Sequence, residues 1–156
     1  VTDYEIGLAA IKNVLESVAN IGVVHDYDRW TANLQEFRAL YLVTIDGVQQ
    51  VRGWDICEDT DEWRPTAARG VHEHRVRYLI RGYQSVNDEL ATGKTFRALA
   101  ETVCQTLRSN TSLNGACREV LPPAIAVYQP LKFFGILCHY VEIPVEVLFD
   151  RTLTLA

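Results

Sequence analysis

The chain has 156 residues, 48% of them hydrophobic and 22% charged, which is ordinary for a globular protein and enough for a substantial core. Fifteen basic against twenty acidic side chains give a formal net charge of −5, which argues against a general nucleic-acid binder while leaving room for a local basic stripe. No apolar run approaches the roughly 20 residues a membrane span needs, and Cys57, Cys104, Cys117 and Cys138 form no CxxC or CxxH pair, so a structural zinc site has little support.

The cysteines read as reduced thiols in a cytoplasmic protein, with Cys104 and Cys138 as small buried apolar residues. The lack of methionine and the start at Val1 fit removal of an initiator.

In chain order, Tyr4, Leu8, Ile11, Leu15 and Val18 recur at spacings of four and three, which predicts a helix over 3–18 with Thr2 or Asp3 at its cap. Gly22 ends it, and the next few residues are expected to be extended. A second, short helix through Trp30, Leu34 and Phe37 takes Asp28 as its cap. Ala39 to Ile45 reads as a strand. Asp46-Gly47 is a hairpin signal, because both central residues of a type I′ turn need positive φ, and Val48 to Cys57 returns antiparallel.

The segment 58–70 (EDTDEWRPTAARG) is polar, contains Pro65 and lacks periodicity, so it is expected to be a long mobile loop. Val71 to Tyr83 alternates. His72, His74, Val76, Tyr78 and Ile80 share one face; Glu73, Arg75, Arg77, Leu79 and Arg81 share the other. After a connector, Phe96, Leu99, Ala100, Val103 and Leu107 predict the main helix over 95–109. Two strands follow, near 118–130 and 136–149. In the last, Val141, Ile143, Val145, Val147 and Phe149 face one way, and Tyr140, Glu142, Pro144 and Glu146 the other. Pro122-Pro123 and Pro144 mark ladder breaks or edge positions. The whole chain, 1–156, reads as a single α+β domain: a mostly antiparallel sheet with one long and one or two shorter helices packed on one face.

Chemistry-bearing motifs are few. His72 and His74 share a strand face as metal-binding pairs do, and His139, on the inner face of the last strand, is the distant ligand that such a site would take. The glutamate that a cupin-type site needs a few residues later is missing; Tyr78 and Leu79 stand there. In His25-Asp26-Tyr27-Asp28 the neighbours do not converge on one atom. There is no G-x-S-x-G elbow, and Gly93-Lys94-Thr95 lacks the upstream glycine of a phosphate loop. No residue is assigned a catalytic or cofactor-binding role.

Surface features are richer. Arg75, Arg77 and Arg81 form a basic stripe. Glu142 and Glu146, or Glu58, Asp59, Asp61 and Glu62, are its natural partners in a contact between copies. Trp63, Phe133 and Phe134 supply apolar interface area.

The run ETVCQTLRSNTSLNG and the closing FFGILCHYVEIPVEVLF resemble the tail-terminator, or tail-completion, proteins of long-tailed bacteriophages. Leu107, Asn110, Leu113, Gly115, Phe134, Gly135, Cys138, His139, Val145 and Val147 carry the likeness. IGVVHDYDRW is similar to part of the neck-associated proteins of Mu-like phages. The resemblance implies a non-enzymatic virion subunit assembled in the bacterial host cytoplasm. It implies a homo-oligomeric ring, a hexamer, that caps the tail-tube protein and meets the head connector, with DNA passing through the lumen and no membrane contact. A head-closure stopper of the same neck and a small metalloprotein using His72, His74 and His139 are the alternative readings.

Overall fold

A computed structural model describes residues 1–153 and places helix α1 at Asp3–Glu16. A reciprocal capping box starts it. The Thr2 hydroxyl accepts from the Glu5 amide at 3.2 Å, and the Glu5 carboxylate accepts from the Thr2 amide at 2.7 Å. The predicted stripe is the buried face, with Leu8, Ile11 and Leu15 all in the core. β1 (Val23–His25) then runs parallel to the middle of β3 (Val48–Pro65), with Val24 opposite Trp54.

Helix α2 (Leu34–Tyr41) begins later than expected. Its cap is Asn33, whose side-chain oxygen accepts from the Glu36 amide at 3.0 Å. Asp28 instead faces Arg81, and Trp30 lies outside the helix. The helix also runs through Tyr41, leaving only Leu42–Ile45 as β2. Asp46 and Gly47 both take positive φ, 51° and 79°, and close the expected hairpin.

The expected loop at 58–70 is the largest difference. β3 continues to Pro65, and Pro65 pairs with His72 at the start of β4 (Val71–Ser85). A register shift between Glu58 and Thr60 bends the strand, and only 66–70 form the turn. Beyond Asp55, β3 has no neighbour on its outer side, because β1 ends there. An edge strand exposed over its whole outer half needs no apolar alternation, and charges suit it.

After a 3-10 turn at Asp88–Leu90 comes α3 (Thr92–Ser109), then β5 (Glu119–Val120), β6 (Val127–Phe133) and β7 (Ile136–Thr152). The sheet order is β1-β3-β4-β7-β5, with β2 on β3 and β6 on β7. The fold is therefore α+β. The sheet is mixed, since β1 is parallel to β3 while the other pairings are antiparallel.

Pro144 stands inside β7, next to a central partner, and needs a reason. Leu148, Glu146 and Glu142 turn their carbonyls toward Arg118, Leu121 and Ala126, so alternate β7 residues face the β5–β6 side. Pro144 falls on that side, at the gap between β5 and β6, where no ladder bond asks for its missing N–H.

Helices α1 and α3 cover one face. Ile11, Leu15, Phe96, Val103 and Leu107 pack on Trp54, Ile56, Val76, Tyr78, Ile80, Val141, Ile143 and Val145. Each such buried side chain contributes about 1.5–3 kcal/mol. Cys104 and Cys138 are buried, as expected. The helices do not all share one face, however. α2 lies on the opposite side, at one end, where Phe37 and Tyr41 meet Val51, Tyr83, Cys138 and Tyr140. That end and the far end of the β3–β4 hairpin, an arm whose β3 strand is the sheet edge, are the two places where unusual side chains gather.

Candidate interface

Between these two ends, the second sheet face carries the arginine stripe, and register decides its partners. Arg77 lies directly opposite Glu146, and Arg81 opposite Glu142. The Arg77 guanidinium binds the Glu146 carboxylate, with Nε at 2.9 Å. Arg75 reaches Glu146 at 3.3 Å and Glu73 at 3.2 Å. Arg118 joins Glu73 at 2.7 Å to Asp150 at 2.5 Å. Glu142 accepts from the Tyr140 hydroxyl at 2.6 Å. The stripe expected to meet acids of another copy is thus largely neutralised within the chain. Half-exposed pairs of this kind contribute only about 0–1 kcal/mol each.

At the arm end, His74 is 7% exposed and bridges two elements. Its Nδ1 lies 2.8 Å from the Asp3 carboxylate on α1, and its Nε2 lies 2.9 Å from the Asp61 carboxylate on the arm. Arg151 of β7 binds the other Asp3 oxygen. Trp63 stacks flat on the imidazole, with ring centroids 4.0 Å apart and planes 7° apart, yet 46% of it stays exposed. Glu62 pairs with Arg64 at 2.8 Å.

Burial pushes the Asp3 carboxyl up, but hydrogen bonds from Arg151 and His74 outweigh it and hold the group below the ordinary 3.8. A carboxylate held low in the folded state stabilises above that value and loses its contribution as pH falls through the lowered one. Acidification below 3.8 is therefore expected to release the α1–His74 contact. The His74 ring-proton shifts, followed by NMR in wild type and in Asp3→Asn, check this: the acid step should shrink in the variant, which keeps only the Asp61 carboxylate against the ring.

The three histidines do not converge. His72 pairs with Arg151 and His139 with Gln84 on the same β7 strand, so they sit roughly 40 Å apart along the sheet. His139 instead accepts or donates to the Thr92 hydroxyl at 3.0 Å. This removes the geometric basis of the metalloprotein reading. The 25–28 segment also diverges: His25 meets the Leu40 carbonyl at 3.1 Å, and burial lowers its pKa, while Asp28 meets Arg81 at 3.2 Å.

At the opposite end lies a recess of about 340 Å³ between α2 and the β6–β7 turn. Trp30, Phe37, Tyr83, Phe133 and Phe134 wall it, with Arg81 at its edge. Phe133 stacks on Phe37 with centroids 5.6 Å apart, so it is committed to the chain itself. Phe134 takes φ 50° at the turn tip and is 43% exposed; Trp30 is 86% exposed.

Beneath the recess, the Tyr41 hydroxyl donates to both oxygens of Asp55, at 2.9 and 2.7 Å. Asp55 is 1% exposed. Burial pushes its carboxyl up to about 6, although the Tyr41 hydrogen bond pulls the other way. Burial and the same carboxylate raise the Tyr41 phenol well above its ordinary range.

Of the interface residues expected from sequence, Glu58, Asp59, Asp61, Glu62 and Trp63 share the arm, and Phe134 is at the recess. Arg75, Arg77 and Glu146 pair with one another. Trp30 and the Asp55–Tyr41 pair escaped the sequence reading. In the sequence Trp30 matches the stripe of a short helix, and a lone Asp between Trp54 and Ile56 signals nothing until its neighbour is known.

The molecule is thus an α+β fold with an acidic arm at one end of the sheet and an exposed aromatic recess at the other. No protein-family model matches the chain, and no curated protein matches it. Among the described residues, no helix is long and apolar enough to cross a membrane.

Proposed function

We propose that the chain is a structural subunit of a long-tailed phage virion, a tail terminator that assembles as a ring, caps the tail tube and joins it to the head connector. The observation that carries this reading is the placement of two unlike contact features, the arm with Trp63 and the patch with Trp30 and Phe134, at opposite ends of one sheet. Unlike surfaces that meet head to tail close into rings when the rotation permits. The net charge of −5 suits a lumen through which DNA slides without being gripped. In this reading one ring face takes the place of the next tube subunit, and the other offers nothing to which a tube subunit can add.

The test is tube growth. Purified tail-tube protein is polymerised with and without the chain, and length is followed by light scattering. A terminator stops growth at substoichiometric amounts. Unchanged tube length would remove the reading, and binding only to connector or portal protein would favour the head-closure stopper instead.

A further inference from the structure

We propose that the aromatic recess is the receptor for the acidic arm of a second copy, with the second copy's Trp63 seated beside Trp30 and Phe134. This rests on the ring reading above and names the contact that builds the ring.

The first argument is exposure. Trp30, 86% exposed, and Phe134, 43% exposed, adjoin in the recess wall as a cluster of the kind that marks a contact site, and Trp63 stays 46% exposed despite its stack on His74. The recess of about 340 Å³ falls within the roughly 300–1,000 Å³ of sites that hold a compact group.

The second is charge. On the arm, Asp61 is taken by His74 and Glu62 by Arg64, while Glu58 and Asp59 make no ion pair among the described residues. Around the recess, the one acid, Asp28, is engaged by Arg81. Arg29, which lines the recess, rests on the Tyr27 ring and near His25 Nδ1 but makes no ion pair among the described residues. The unpaired acids at the base of the arm, opposite Tyr78, and the unpaired Arg29 at the recess are opposite in charge and complement each other. The arginine stripe no longer competes for the arm, because Glu146 and Glu73 occupy it.

The third is reach. Trp63 pairs with His74, whereas the recess takes Arg81 and Tyr83 of the same strand, roughly 25–30 Å further along. A strand this firmly paired does not fold back on itself, so the arm meets a recess only on another copy.

Two variants test it. The arm variant carries Trp63→Ala and Asp59→Lys; the recess variant carries Trp30→Ala and Arg29→Glu. Circular dichroism confirms that each folds. In sedimentation velocity, alone and with tail-tube protein, each variant is expected to associate at least tenfold more weakly than wild type. Mixed in equal amounts, they are expected to form a dimer and nothing larger, since one intact arm meets one intact recess. Variants that keep the wild-type assembly, or a mixture that yields no dimer, overturn the arm–recess contact and leave the ring reading standing. A wild-type chain that stays monomeric with and without tube protein overturns both.

Discussion

Trp54→Ala is expected to lower the unfolding free energy by about 3–5 kcal/mol, the usual cost of emptying a buried aromatic site. Trp54 is fully buried. Its ring packs on Phe96, with centroids 5.4 Å apart. It also lies over Gly82 of β4, so close that a Cβ there would come within 2.5 Å of it. The indole N–H donates to the Ile21 carbonyl at 2.8 Å, and the alanine leaves that carbonyl without its partner. One residue thus ties α3, the sheet and the chain entering β1. Urea denaturation measures the effect. Trp30→Ala is the control: at 86% exposure it should change stability by less than about 0.5 kcal/mol. A loss below about 1 kcal/mol for Trp54→Ala would contradict the packing described.

Asp55→Asn is expected to stabilise the protein at neutral pH and to flatten its stability profile between about pH 4 and 7. The sign follows from the raised pKa. The folded carboxyl titrates near 6, above its ordinary 3.8, so between those values the folded chain holds a proton that the unfolded chain has released. That contribution is complete below the lower value and is lost as pH rises through the upper one. Two pKa units correspond to about 3 kcal/mol. The amide cannot ionise, yet its oxygen still accepts from the Tyr41 hydroxyl, so the variant escapes the loss. Paired urea titrations at pH 4.5 and 7.5 read the difference between parent and variant. Taking that difference removes the groups of opposite sign, such as Asp3, which favour the folded state at higher pH. A parent that loses no more stability than the variant over this range would contradict a desolvated Asp55.

What the sequence discloses here follows the reach of each signal. α1 is legible because its stripe and its Thr2–Glu5 box are local, and the β2–β3 turn because Asp46-Gly47 has few other uses. β4 and β7 are legible because each buries one face over many residues, and burial writes a period of two. The outer half of β3 buries neither face, so its strand character leaves no trace in the residues. The cap of α2 is ambiguous in the sequence because Asp28 and Asn33 are both good cap residues, and tertiary pairing with Arg81 claims the first. Helix placement on both faces was hidden for a similar reason. A stripe shows that a helix has a buried side, but not which side of the sheet it meets. The Arg77–Glu146 pair and the Asp55–Tyr41 pair depend on register between distant segments, which no local pattern records.

The same limits explain what was legible of the interface. The acidic run and Trp63 stand out by composition, and they do share one arm. The recess is assembled from the segment before α2, α2 itself, β4 and the β6–β7 turn, so it exists only once the sheet has formed. It lies at the end of the sheet opposite the arm.

We propose that this surface joins copies to one another and to the end of a tubular polymer. Electron microscopy of assembled tails carrying a gold label on this chain tests it most directly. The account predicts a ring of label at the single tube end that faces the head. Label spread along the tube, or absent from both ends while the tails are complete, would contradict it.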